Sequence, residues 1–137
     1  MARPLRIEYA GAYYHVMNRG NRRQVVFAEP QDYELFLERL RHFGELFDVR
    51  LLCYCCVPNH FHLYVQTAQP NLSRFVQSLL TSFTISVNRR HRTCGHVFQG
   101  RFTAHLVENE AYGAEVSRHI HLNAVRAKAC KKRTGVR

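Results

Sequence analysis

The feature that most restricts how this chain can fold is a pair of β-rich runs joined by a two-residue breaker. The runs are RLLCYCCV at 50–57 and HFHLYVQT at 60–67, and a Pro-Asn pair separates them. Strand-forming residues on both sides of such a turn predict a β-hairpin. Since successive side chains of a strand point to opposite faces, His60 and His62 share one face of the predicted sheet. Two neighbouring imidazoles suit either a metal site or an acid–base pair, and the hairpin alone leaves both open.

The rest of the chain predicts further strands and three amphipathic helices. Strands are indicated before the NRGN breaker and at FTAHLVEN, and apolar residues recur at helical spacing within 29–49, 71–91 and 108–128. The element order β-α-β-β-α-β-α predicts an α+β, ferredoxin-like fold, in which an antiparallel βαββαβ sheet carries two helices on one face. The additional C-terminal helix is then available to lie across the open face, where the two histidines could point.

Length and charge limit the organisation of the chain and its partners. Its 137 residues suit one domain, which we place at 1–128, followed by a basic and mobile tail at 129–137. The net charge of +10 favours nucleic acid as the partner, because no segment collects its basic residues on one amphipathic face as a membrane-surface helix does. Neither a secretion signal nor a membrane-spanning run is evident, so we expect a cytoplasmic protein. The five cysteines indicate neither a disulfide framework nor a zinc knuckle.

Six blocks, taken together and in order, carry a family resemblance. They are MARPLRIEY, YHVMNRGNRR, VPNHFHLYVQT, PNLSRFVQSL, HVFQGRF and SRHIHLNAVRA. With these blocks the chain resembles the REP-associated tyrosine transposases, which belong to the HUH superfamily of single-strand DNA nucleases alongside the small insertion-sequence transposases. The resemblance runs from residue 1 to about residue 128, almost the whole chain.

The resemblance implies a nuclease that cuts single-stranded DNA next to a folded hairpin. His60 and His62 would bind a divalent ion, Mg²⁺ or Mn²⁺, and the position matching the third ligand is Asn123. A tyrosine on the last helix of these proteins attacks the phosphorus and becomes 5′-phosphorylated. The implied partner is therefore single-stranded DNA with a palindromic hairpin, and a monomer is favoured over a homodimer.

The nucleophile position departs from the family pattern. The family block reads Tyr-Ile-His-Leu-Asn-Pro, whereas this chain has HIHLNA, with His119 in place of the tyrosine and Ala124 in place of the proline. His119 is either an inactivating change or a substitute nucleophile, or else Tyr112, seven residues earlier, takes over the attack. Loss of cleavage is the interpretation we favour, since seven residues of helix span about 10 Å.

Two other functions compete with a transposase that has lost cleavage. In one, water attacks the phosphorus with His119 as base, which makes the chain a metal-dependent single-strand nuclease. In the other, the chain is a non-catalytic nucleic-acid-binding module, since the ferredoxin-like sheet is also the frame of a common RNA-binding fold.

The predicted contacts to DNA are basic residues and one aromatic side chain for base stacking. They are Arg19, Arg22, Arg23, Arg89, Arg90, Arg92, Phe98, Arg101 and Arg126.

Overall fold

A computed structural model describes residues 7–127, with side chains as far as Asn123. The predicted tail at 129–137 therefore lies outside the described residues. The strands are β1 (Tyr13–Arg19), β2 (Val49–Val57), β3 (His60–Thr67) and β4 (Thr103–Val107), and the α-helices are α1 (Pro30–Phe47), α2 (Leu72–His91) and α3 (Glu110–Ala127). A short 3₁₀ turn at Asn21–Arg23 follows β1. None of the described helices is long and apolar enough to cross a membrane.

The four strands pair as an antiparallel sheet in the order β2-β3-β1-β4. This order and the alternation of helices and strands confirm the predicted ferredoxin-like α+β fold. The Pro-Asn turn joins β2 to β3 as predicted, and the register places Val57 opposite His60.

One face of the sheet is covered by α1 and α2. Alternate residues of β3, namely Phe61, Leu63 and Val65, have no exposed surface and pack into a core rich in phenylalanine. The ring of Phe36 on α1 lies 5.1 Å from that of Phe61, centroid to centroid. Burying each such side chain stabilises the fold by about 2 kcal/mol, so this layer sets the strand register.

The other face is partly covered by α3, as the sequence analysis anticipated. Val116 and Ile120 of α3 pack on Cys53, Cys55 and Val57 of β2 and form a second, smaller core. The helix approaches closely near its start, where a Cβ at Gly113 would lie 2.5 Å from the hydroxyl of Tyr64. The α3 helix thus lies over the sheet face that bears His60 and His62.

The residue that precedes α2 connects this helix to the end of α1. Asn71 stands at the cap position, but its side chain makes no capping hydrogen bond. Its Nδ2 instead donates to the carbonyl oxygen of Phe47 at the end of α1, at 3.0 Å. The start of α2 is satisfied by Glu8, whose carboxylate accepts hydrogen bonds from the backbone and hydroxyl of Ser73. A negative charge is stabilised near the N-terminus of a helix by the helix dipole, so the carboxylate of Glu8 can serve there in place of an Asn71 cap.

A buried carboxylate joins the start of α1 to the end of α2. Asp32 is fully buried and accepts hydrogen bonds from the N–H groups of Ala28 and Glu29 at 2.9 and 3.1 Å. From α2, Arg90 Nε lies 3.2 Å and His91 Nε2 3.0 Å from Asp32 Oδ1. Burial acts to raise the pKa of Asp32, but the hydrogen bonds from His91, Ala28 and Glu29 outweigh it and hold the pKa below its ordinary value.

Asp32→Asn is expected to lower the free energy of unfolding by about 2 kcal/mol at pH 7, because charge-assisted hydrogen bonds are lost. A carboxylate whose pKa is lower in the folded than in the unfolded state stabilises the fold above its unfolded pKa. That contribution disappears as the pH falls through the folded pKa. Urea unfolding at pH values from 7 to below about 4 measures this dependence. The difference in free energy of unfolding between the unaltered chain and Asp32→Asn should become smaller in acid.

The matched control is Glu34→Gln, an exposed carboxylate on the same helix, which should change stability by less than about 0.5 kcal/mol at any pH. A loss in Asp32→Asn that is equally large in acid would contradict an electrostatic role for Asp32.

Candidate functional site

Five histidines gather on the sheet face beneath α3, and we call them the histidine cluster. They are His15 on β1, His60 and His62 on β3, His105 on β4 and His119 on α3. The register makes His15 and His105 cross-strand partners, and alternation sends the side chains of all four strand residues to the same face. The structure therefore brings His119 together with the predicted pair, and adds two residues that the sequence analysis did not identify.

His62 lies at the centre of the histidine cluster and is 4% exposed. Its ring centroid is 5.1 Å from that of His60 and 5.7 Å from that of His119. Its Nδ1 lies 3.1 Å from Nε2 of His15, and the angle between the two ring planes is 20°. His62 is thus the residue through which the other members of the cluster are connected.

Burial keeps His15, His60 and His62 neutral at pH 7. It lowers the pKa of His62 to about 3, with help from the nearby His15 and His60. It also lowers the pKa of His15 to about 4, together with the charges of His105 and His119. The pKa of His60 is lowered by burial and by the guanidinium of Arg19. A neutral imidazole has one unprotonated ring nitrogen, and this neutral form is the one that binds a metal ion.

The donor atoms on this face fit a divalent cation. His60 Nδ1 lies 2.8 Å from Asn59 Oδ1, so Nδ1–H donates to that oxygen and Nε2 is left as the bare nitrogen. In His62 the contact to His15 engages Nδ1, so Nε2 is the ring nitrogen outside that contact. Among residues 7–127, no group of three or more His, Cys, Asp or Glu side chains is arranged to hold a metal ion. A metal ion bound by His60 and His62 would therefore need a third protein ligand of another residue type, such as an asparagine.

Asn123 and His119 are linked on one face of α3. Asn123 Nδ2 donates to Nε2 of His119 at 3.1 Å and to its carbonyl oxygen at 3.3 Å. Both contacts use the amide nitrogen, which leaves Oδ1 of Asn123 to accept another bond, and amide oxygens are ligands for hard divalent cations. The spacing of four residues places the two side chains one turn apart, as predicted.

Tyr112 lies in the first turn of α3, at the opposite end of the helix from Asn123. Its backbone N–H donates to Asn109 Oδ1 at 2.8 Å, and its side chain is 39% exposed. The structure places the ring of His119 beside His62, whereas Tyr112 is about 10 Å of helix rise away from His119.

Three loops meet where β1 ends and β3 begins, and we call residues 19–23, 58–60 and 97–101 the turn end. Gly20 N–H donates to the carbonyl of Asn59 at 2.8 Å, and Asn21 N–H to that of Val97 at 2.9 Å. The carbonyl of Arg19 accepts from Gln99 N–H at 2.9 Å. These backbone bonds connect loops that are distant in sequence and bring their arginines to the same end of the sheet as His60.

The turn end carries exposed positive charge. Arg19 is exposed and lies directly opposite His60 in the register. Arg22 and Arg23 are exposed in the 3₁₀ turn, with φ values of 56° and 58°. These left-handed values are uncommon for residues other than glycine. Arg101 is exposed in the loop before β4.

Other predicted DNA contacts lie elsewhere or are already engaged. Arg89 and Arg92 are exposed at the end of α2, while the Arg90 side chain is bound to Asp32 and Glu29. Arg90 thus joins α1 to α2, a role that sequence alone did not reveal. The side chain of Arg126 lies outside the described residues.

Phe98 was predicted to stack on a base, but in the structure its ring belongs to the core. The residue is only 8% exposed, and its ring packs edge-on against Phe61 at 5.7 Å and also contacts Phe83. A loop residue between Val97 and Gln99 gave no periodic signal of burial, so the sequence did not distinguish a core aromatic from a base-stacking one.

Comparisons with known proteins agree with this architecture. A family model described as IS200-like transposase matches residues 8–123. A solved REP-associated tyrosine transposase, bound to a REP hairpin, superposes with a TM-score of 0.76, at 17% identity, over 92% of this chain and 74% of the other. A transposase structure from Deinococcus radiodurans superposes with a TM-score of 0.56, at 19% identity, over 89% of this chain and 97% of the other. At these identities the superpositions establish a shared fold. A comparison with curated protein sequences gave no match.

Proposed function

Because the chain belongs to the family of IS200-like transposases, we propose that it binds single-stranded DNA beside a folded hairpin, with the turn end against the phosphate backbone. The observation that carries this proposal is that the pair His60 and His62 lies at the same end of the sheet as the exposed Arg19, Arg22 and Arg23. A similar fold in a REP-associated transposase is bound to a REP hairpin, which supports a hairpin as the structured part of the DNA.

The charge distribution supports this orientation. Acidic residues stand where β2 begins and β4 ends, at the far end of the sheet, for example Asp48, Glu108 and Glu110. The turn end, by contrast, carries arginines, and the nearby Glu29 and Asp32 are paired with Arg90. A polyanion is therefore attracted to one end of the molecule and repelled by the other. Contacts of this kind position the backbone and are largely independent of base sequence.

The proposed cation site consists of Nε2 of His60, Nε2 of His62 and Oδ1 of Asn123, and it takes Mg²⁺ or Mn²⁺. When bound, such an ion polarises the scissile phosphate and stabilises the charge that develops on the leaving 3′ oxygen. Asn59 holds the ring of His60 through Nδ1, and His119 holds the amide of Asn123. Ligands restrained in this way keep their orientation before the DNA arrives.

Cleavage through a phosphotyrosine is impaired in this chain. The residue beside His62 at the nucleophile position is His119, which lacks a phenol. Its Nε2 already accepts a hydrogen bond from Asn123, and the imidazole is shorter than a tyrosine side chain. Binding of DNA and cation thus remains, while the covalent step has lost its attacking oxygen.

A hydrolytic nuclease is the second candidate, and one observation favours it. His119 is exposed and its ring lies edge-on to that of His62 at 5.7 Å, within the histidine cluster. There Nε2 of His119 can take a proton from a water molecule that attacks the phosphorus, once it gives up the hydrogen bond from Asn123. The P–O3′ bond then breaks, and the products are a free 3′ hydroxyl and a 5′ phosphate.

The double variant Arg22→Ala/Arg23→Ala is expected to weaken binding to a hairpin oligonucleotide with a single-stranded flank roughly tenfold at low salt. The slope of log affinity against log salt should fall by about 1 to 2, because two phosphate contacts are removed. Fluorescence anisotropy over a salt series measures both quantities. The control is Arg74→Ala, which removes an exposed arginine that lies over the ring of Phe47. Equal losses per removed charge in both variants would show that the effect is one of net charge alone.

A cleavage assay with Mn²⁺ and DNA labelled at both ends separates the two candidates. This chain should give no covalent protein–DNA adduct on a denaturing gel, His119→Tyr should give one, and His119→Phe, which adds a ring without a hydroxyl, should give none. Adding His60→Ala to His119→Tyr should abolish the adduct. An adduct with the unaltered chain that Tyr112→Phe removes would overturn the proposed loss of cleavage. Cutting by the unaltered chain without an adduct, leaving a 5′ phosphate, would favour the hydrolytic nuclease instead.

A further inference from the structure

One buried contact in the histidine cluster involves a residue outside the proposed cation ligands. His15 is 8% exposed, and its Nε2 lies 3.1 Å from Nδ1 of His62. The rings are nearly parallel, with centroids 5.3 Å apart. His105 and His119 flank His15, each with a ring centroid 6.3 Å away. A hydrogen bond this well shielded from water has a fixed geometry. Removing one partner would leave the other polar group buried and unpaired, which is costly.

A hydrogen bond between two neutral imidazoles contains a single proton. Which of the two nitrogens carries that proton determines whether Nε2 of His62 is protonated. If His15 carries the proton on Nε2, then His62 accepts it on Nδ1 and must carry its own proton on Nε2. If His62 carries the proton on Nδ1 and donates it to His15, then Nε2 of His62 is bare. Since a ligating nitrogen must be unprotonated, only the second arrangement is compatible with a cation on Nε2.

We propose that His15 is a positioning residue that accepts the Nδ1–H bond of His62 and thereby keeps Nε2 of His62 bare and oriented toward the cation site. This inference rests on the cation site of the proposed function. Asn59 has the same relation to His60, since its Oδ1 accepts from Nδ1 at 2.8 Å. Each of the two imidazole ligands is thus held through Nδ1 by a neighbour outside the ligand set, one an amide and one an imidazole.

The position of His15 on β1 explains why an imidazole can accept the Nδ1–H bond of His62. On β1, His15 is paired with Tyr64 in the register, and His62 with Met17, so the two histidines are diagonal neighbours across the strands. A side chain must reach sideways over the sheet to meet Nδ1 of His62 and must end in an acceptor. Glutamine places an amide oxygen close to where Nε2 of a histidine stands, whereas leucine occupies similar volume without an acceptor.

The test measures Mn²⁺ affinity of the full chain by titration calorimetry, without DNA. His15→Leu is expected to weaken Mn²⁺ binding roughly 10- to 100-fold, the usual cost of losing a residue that orients a metal ligand. His15→Gln should recover most of that loss, and His42→Leu, which removes an exposed imidazole on α1, should bind as the unaltered chain does. Ring ¹⁵N shifts should show His62 protonated on Nδ1 in the unaltered chain and in His15→Gln, and a mixture of tautomers in His15→Leu.

The outcomes separate this inference from the cation site itself. If the unaltered chain binds no Mn²⁺, or if His60→Ala binds it equally well, the cation site is wrong and the role of His15 falls with it. If His60→Ala abolishes binding but His15→Leu binds normally, only the role of His15 is wrong. A loss in His15→Leu that His15→Gln does not recover indicates simple packing and also overturns the inference. Should His15→Leu fail to fold, a proton on Nε2 of His62 in the unaltered chain overturns it.

Discussion

The site depends on the alternation of β3 between two environments. Phe61, Leu63 and Val65 are fully buried against α1 and α2, and this places His60 and His62 on the opposite face. A slip of one residue in the register would drive the histidines into the phenylalanine core and expose the apolar residues, at a cost of several kcal/mol. The core therefore does more than stabilise the fold, because it fixes which nitrogen atoms face α3.

Sequence alone predicted those features of the site that depend on the periodicity of a single strand or helix. The shared face of His60 and His62 follows from the period of a strand, and the pairing of Asn123 with position 119 follows from the period of a helix. His15 and His105 were missed because they join the site through strand register, which is set by contacts about 40 to 90 residues apart along the chain. No periodic signal within one strand contains that information.

Two of the predicted DNA contacts have partners within the protein, and sequence missed both for the same physical reason. Phe98 sits in a loop, where burial depends on packing against Phe61 and Phe83 and has no periodic signal. Arg90 looked like a free cation at the end of α2, but its partner Asp32 lies 58 residues earlier in the chain. Long-range pairs of this kind decide whether a charged side chain is available to a ligand. Amino-acid composition does not show which charged side chains are already paired.

The central proposal is that His60, His62 and Asn123, beside the turn end, hold a divalent cation. The most direct test is paramagnetic broadening of the histidine ring signals by substoichiometric Mn²⁺, observed by NMR. We predict that the signals of His60 and His62 broaden first, followed by those of His15 and His119, while those of His42 on α1 and His96 in the loop after α2 stay sharp. Broadening that begins at His42 or His96, or that affects all histidines equally, would contradict the claim.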